Sequence, residues 1–302
     1  MKKHSSMALV VFAVCMVSYS GPMVKGALNE GASPISVALL RMLAAALLML
    51  PYEARQCVRR HIPMKLTPAQ WGLTALAAAF LAAHYITWIT SLTGTSTFAS
   101  VALVCTQPLF VAFFSYVLFR ERTPRRALPG ALLALLGAVT IALSGLSGQE
   151  AQAAGSEALR SNLPALAGAV LMAAHWLAGR QIRQTLAAEV YTPVLYLITA
   201  ALLALCLPLS GGFRMPLSAL PYMAGLVIGS TLLGHAVFAY ALSGVSANVI
   251  SFALLGEPVG AMIFSMIFFG EVPTWPVALG GLLTLMGLAL YLAFAGGEKQ
   301  PA

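Results

Sequence analysis

The chain is divided into ten runs of mostly apolar residues, each close to the length that crosses a bilayer. A spanning helix needs about 20 such residues. The runs cover 7–25, 33–51, 68–92, 95–119 and 126–144, then 162–182, 191–208, 217–242, 245–269 and 274–295. With 60% hydrophobic residues and 9% charged, the chain is far from a soluble domain, in which roughly 25% of residues are charged. Lipid must solvate most of the surface, so the fold class is an all-α membrane protein.

The cations test this map. Of the 17 Lys and Arg residues, 13 fall in segments on the side of the N-terminus and three (Lys25, Arg160, Arg214) on the other. Arg41 lies inside a span. A bias of this kind places the cation-rich side in the cytoplasm. The sequence therefore predicts a multi-pass inner-membrane protein with both termini cytoplasmic. The basic residues sit in short connectors rather than in a patch, which excludes a nucleic-acid partner. The first run follows Lys2 and Lys3 and imitates a signal peptide, but no small-residue cleavage site follows closely. It reads as a retained helix.

All nine acidic residues are Glu. Without Asp, the Asp-centred metal and phosphoryl-transfer motifs are absent. No phosphate loop is present. The four cysteines lack metal-type spacing, and no cofactor or metal is expected.

The two halves overlay at a constant offset of 150. Gln107-Pro108 falls on Glu257-Pro258, and Arg120-Glu121 falls on Gly270-Glu271. Gly130 and Gly137 fall on Gly280 and Gly287, and Leu92-x-x-x-Ser96 falls on Leu242-x-x-x-Ser246. The units are 1–147 and 160–302, joined by a polar connector, 144–161, that reads as a loop. Five helices per unit is an odd number, so the second copy enters the membrane from the opposite side. Inverted repeats are a common basis of alternating access, with the solute held near the midplane.

These residues carry a family resemblance. Leu40-Arg41-Met42, Pro108, the turn Phe119-Arg120-Glu121-Arg122 and the glycines of helix 5 form one pattern. The second half repeats it with Leu255-Gly256-Glu257-Pro258-Val259 and Phe269-Gly270-Glu271. The chain resembles the EamA-type permeases of the drug/metabolite transporter superfamily over nearly its whole length. The resemblance implies ten helices around a central cavity lined by helices 1, 3, 4, 6, 8 and 9. It also implies export or exchange of small metabolites, often amino acids or related compounds. One departure is visible: Ser20-Gly21-Pro22 stands where such proteins often carry Trp-Gly in helix 1.

Glu257 is the leading site candidate, because it is the one acid near the centre of a span. A charge there costs about 2.5–3.5 kcal/mol. It persists by facing a cavity, finding a partner or staying protonated. It is a candidate proton carrier or ligand for a substrate ammonium, or a protonated hydrogen-bonder to a neighbouring helix. Arg41 cannot deprotonate and is too deep to reach the interface. It either clamps carbonyls or receives a substrate carboxylate. His84, His175 and His235 lie in spans and serve either as interhelical hydrogen-bonders or as proton sites. Trp88 stands one turn after His84, Trp176 adjoins His175, and Tyr240 lies on helix 8. Each can stack on an amphipathic solute or simply pack. Gln107 is the neutral counterpart of Glu257. Trp71 and Trp275, near helix starts, read as interfacial anchors.

The leading expectation is a secondary carrier of small metabolites, with protons as candidate coupling ions and lipid as the surrounding partner. The alternative is an intramembrane hydrolase using buried Ser and His. It lacks a Gly-x-Ser-x-Gly element and an Asp for a triad.

Overall fold

The computed structural model describes residues 3–120, 124–143, 151–234 and 256–295. Every described element is helical. In chain order they are α1 (Lys3–Ser18), α2 (Ser20–Asn29), α3 (Pro34–Arg59), α4 (Pro68–Ser91), α5 (Thr97–Val104) and α6 (Gln107–Phe119). Then come α7 (Leu128–Leu143), α8 (Ala151–Ile182), α9 (Ala188–Leu205), α10 (Leu220–Ala224), α11 (Glu257–Phe269) and α12 (Trp275–Ala295). A π-helical stretch, Gly225–Gly234, continues directly from α10. Among the described residues, eight helical stretches are long and apolar enough to cross a membrane.

Local chemistry sets the starts. Ser33 caps α3, its hydroxyl accepting from the Ser36 amide at 3.3 Å, with Pro34 in the first turn. Thr67 and Gln70 form a reciprocal capping box on α4. Each satisfies one of the other's orphan amides, and Pro68 needs none. Two C-termini obey the repeat: α6 ends on Arg120 at φ 61° and α11 on Gly270 at φ 64°, both left-handed. Glycine takes this conformation without penalty.

The structure revises several boundaries. Helix 1 is longer than the expected 7–25 and is interrupted at Tyr19. Helix 2 continues past Pro51 to Arg59. Its last turns carry Glu53, Arg55 and Gln56, good helix formers that need no lipid. The connector 144–161 is not all loop, since α8 begins at Ala151. Alanine-rich segments hold helix readily, polar or not. Helix 4 is not continuous: α5 stops at Val104 and α6 restarts at Gln107. The first part of expected helix 9 lies outside the described residues.

Packing runs pairwise between the halves. α7 lies against α12, α4 against α8, α3 against α9, and α5 against α11. The α7–α12 seam is glycine-lined. A Cβ on Gly130 would meet the Gly287 carbonyl oxygen at 2.7 Å, and one on Gly280 would meet the Gly137 oxygen at 2.8 Å. Residue number rises along one helix as it falls along the other, so the two run antiparallel. The opposite face of α7 exposes Leu132, Leu135, Leu136, Val139 and Leu143, an apolar stripe at helical spacing that suits lipid. Small residues inside and large ones outside is the packing logic of membrane helices.

The two ends of the bundle are distinct. At one, Lys25 lies near Glu271, and the Ser33 amide donates to the Arg214 carbonyl at 3.0 Å. At the other, Arg60 pairs with Glu189 at 2.8 Å, and the Gln70 amide donates to the Thr185 carbonyl at 3.1 Å. Trp71 and Trp275 are exposed, one toward each end.

Candidate functional site

The site forms where helices break. α6 and α11 start at equivalent residues, Gln107 and Glu257, each followed by proline in the first turn. Proline suits that turn because its missing N–H would be unpaired there anyway. Gln107-Pro108 therefore marks a helix restart after the end of α5, not a kink in a continuous span, and Glu257-Pro258 likewise opens α11. Glu257 thus stands at a helix N-terminus, whose partial positive charge favours a carboxylate. Half-helix ends of this type hold solutes and coupling ions in secondary carriers.

Arg41, on α3, is 4% exposed. Its Nε donates to Thr231 Oγ1 at 3.1 Å, and one Nη donates to Ser20 Oγ at 3.2 Å. Its guanidinium carbon lies 5.1 Å from the Tyr85 ring centre and 6.0 Å from that of Trp88. The π-helical stretch makes the Thr231 contact: the Thr231 hydroxyl donates to the Leu226 carbonyl, five residues back, and its oxygen faces Arg41. π-helical turns are rare and concentrate at functional sites. Ser20 comes from the start of α2, just past the break in helix 1. Among the described residues no carboxylate lies within ion-pair distance of Arg41. Arg41 is nonetheless close enough for its charge to bear on Glu257, and that of Glu257 bears on Cys105 at the α5–α6 break.

Several buried polar atoms in this region have no hydrogen-bond partner among the described residues: Ser18 Oγ, Trp88 Nε1 and Gln107 Oε1. Leaving such an atom unpaired costs about 1–3 kcal/mol. Ser18 lies against Gly260, one turn into α11. Trp88 thus adjoins Arg41, Ser18 adjoins the first turn of α11, and Gln107 opens α6.

The histidines are already engaged. His84 Nδ1 is 2.9 Å from the Gly168 carbonyl, and His175 Nδ1 is 2.9 Å from the Ala77 carbonyl. A carbonyl only accepts, so each Nδ1 carries the proton and each ring clamps α4 to α8. The structure thus supplies the interhelical hydrogen-bonding role for both. His84 also stacks on Trp88 at 5.9 Å with an interplanar angle of 14°.

Of the nine residues singled out in the sequence, Arg41, Trp88 and His84 are brought together, Glu257 lies within reach of the Arg41 charge, and Gln107 stands at the start of α6 with its Oε1 buried. His175 sits on its α8 side. Trp176 is 54% exposed on α8 and is not brought to the cluster. His235 and Tyr240 lie outside the described residues. Ser18, Ser20 and Thr231 were missed. A hydroxyl on an apolar helix carries no signal of its own, and only the contact to Arg41 gives Ser20 and Thr231 meaning.

Fold and site together define a polytopic α-helical membrane protein with a buried polar cluster where its spans are interrupted. The profile of the EamA-like transporter family matches residues 4–143 and 159–293, and the chain belongs to that family. A solved crystal structure aligns over 98% of this chain and 100% of its own, at 19% identity and a TM-score of 0.63. At that identity the likeness supports the fold alone. No curated protein matches significantly.

Proposed function

We propose that this chain is a secondary carrier that exports or exchanges small zwitterionic or amphipathic metabolites, such as amino acids and related compounds, by alternating access. Its units, 1–147 and 160–302, act as inverted five-helix repeats around one central site. It resides in the inner membrane with both termini cytoplasmic.

The observation that carries the reading is the buried Arg41, whose hydrogen-bond partners are the neutral hydroxyls of Thr231 and Ser20. A buried guanidinium without a carboxylate is costly, and a solute carboxylate would offset that cost. Glu257 offers the matching acceptor for an ammonium group or a proton. Trp88 and Tyr85 supply the flat apolar surface against which a solute body stacks. Inversion is supported by the seam: Gly130 meets Gly287, the counterpart of Gly137, while Gly137 meets Gly280, the counterpart of Gly130. That reciprocity is what a two-fold axis requires, and antiparallel equivalent helices agree with an axis in the membrane plane.

The test is counterflow in reconstituted vesicles across a panel of amino acids, aromatic compounds and organic ions, comparing the parent with Glu257→Gln. The parent exchanges at least one solute and the variant loses most of that flux. Absence of exchange for every compound refutes the carrier reading. A pH dependence of flux that survives Glu257→Gln unchanged removes this residue as the proton site.

A further inference from the structure

We infer that Lys25 and Glu271 form a latch that shuts one mouth of the central site, and that this latch must open for solute to pass at that end. The inference rests on the alternating-access reading. Lys25, on α2, donates to the Leu92 carbonyl at 2.6 Å and to the Thr95 carbonyl at 3.3 Å. Its ammonium lies 3.8 Å from Glu271 Oε1, with both side chains largely covered, at 16% and 23% exposure. Glu271 Oε2 accepts from the Thr97 amide at 3.0 Å.

Each charge sits at the helix end that suits it. Lys25 neutralises carbonyls at the C-terminus of α4, and Glu271 caps an amide in the first turn of α5. Between them they gather helix 1, the α4–α5 turn and the α11–α12 turn. These belong to helices 1, 3, 4 and 9, which the family resemblance places around the cavity, and they come from both halves of the chain. The Arg60–Glu189 pair at the opposite end joins only α3 and α9, which are not among the cavity helices, and Arg60 is 63% exposed. Surface pairs of that type contribute little. Among the described residues, the ion pair that joins elements of the cavity helices is therefore the one at the Lys25 end.

A latch also accounts for residues spent on polar contacts in an otherwise apolar segment. Gly21, one turn before Lys25, brings helix 1 so close to α5 that a Cβ would meet the Thr97 side chain at 2.9 Å. Helix 1 and the start of α5 are thus pressed together directly beneath the latch. Opening requires helix 1 to leave α5, which first breaks the Lys25 and Glu271 contacts.

Cys105, at the α5–α6 break, gives the test a reporter inside the site. The full chain, with Cys15, Cys57 and Cys206 replaced by alanine, is reconstituted in vesicles of known orientation. A membrane-impermeant maleimide is then added to the Lys25 side. Losing the charge contacts in Lys25→Met or Glu271→Gln raises the Cys105 labelling rate from that side by about tenfold, while labelling from the other side does not rise. Lys25→Arg stays near the parental rate. If Lys25→Met fails to fold, Glu271→Gln decides, because its amide oxygen still accepts from Thr97. Unchanged labelling in a folded variant, or an equal rise from both sides, overturns the latch. Labelling needs no transported solute, so a chain that exchanges nothing still answers the question separately from the transport reading.

Discussion

Replacing Gly137 by alanine tests the seam between the two halves, and Gly72 supplies the control. At Gly137 a new Cβ would stand 2.5 Å from the Gly280 carbonyl oxygen and 2.5 Å from Thr284 Oγ1. Ordinary contact requires roughly 1 Å more. The nearest obstacle is backbone, so no rotamer change relieves it, and α12 must move away from α7. That movement also loosens the Gly130–Gly287 contact one turn pair along. Overpacking of this type costs about 1–3 kcal/mol, and alanine returns about 0.5–1 kcal/mol in helix propensity. A rigid backbone neighbour puts Gly137→Ala near the upper end, a net loss of about 2 kcal/mol. Gly72 has nothing within 4 Å of its virtual Cβ, so Gly72→Ala keeps the propensity gain and is stable or slightly stabilised. Thermal unfolding in one detergent, read by loss of the monodisperse species, separates the two. The double variant Gly137→Ala with Gly280→Ala costs less than the sum of its parts, because the helices separate only once. Equal stability of Gly137→Ala and Gly72→Ala refutes the close seam.

Arg41→Met removes the buried charge while filling its space, so the folded protein persists in a melting assay while exchange of carboxylate-bearing solutes falls at least tenfold, the scale of one charge-assisted contact; unchanged exchange removes Arg41 from solute binding. Trp88→Phe keeps an aromatic face and deletes the unpaired Nε1, costing under about 1.5 kcal/mol of stability but weakening solute affinity, measured as half-saturation of counterflow. Arg120→Gly relieves a left-handed residue at the end of α6 and raises stability by about 1 kcal/mol; a lower melting temperature counts against the relief.

Much of this architecture was legible because a bilayer enforces it. Apolar runs of spanning length and connectors with a one-sided cation excess leave few alternatives, so helices 3 and 10 fall within a residue or so of the expected ends. The breaks were less legible. Gln107-Pro108 reads as a kink if the preceding helix is assumed continuous. The same two residues read as a start once a preceding turn at Cys105-Thr106 is known. Hydropathy is blind to the difference, since Thr106, Gln107 and Pro108 are too few to interrupt the apolar run around them. Helix 1 hides its interruption for the same reason. The histidines illustrate the other limit. Placing His84 on a helix does not say which carbonyl it meets, and that partner, Gly168, is 84 residues away. Trp176 adjoins His175 in sequence, yet successive residues on a helix point about 100° apart, and this one emerges on the exposed face.

The repeat also explains why the polar cluster lies on one side. Under the 150-residue offset, Arg41 corresponds to Tyr191, Ser20 to Val170 and Thr231 to Leu81. The first set is a guanidinium with two hydroxyls donating and accepting around it. The second is a buried phenol with two aliphatic residues at the partner positions, Leu81 only 3% exposed. Three paired positions have therefore diverged together: where one half buries a charge with its hydroxyl partners, the other has dropped both. A structural clamp needed by each unit would be kept in each. In the proposed carrier, a group serving one shared solute need occur once, because both units would close on the same centre. Gln107 and Glu257 repeat the logic, with a proline-marked helix start in both halves and the charge in one. In the proposed carrier, symmetry would carry the motion, and its local failure at Arg41 and Glu257 would carry the recognition.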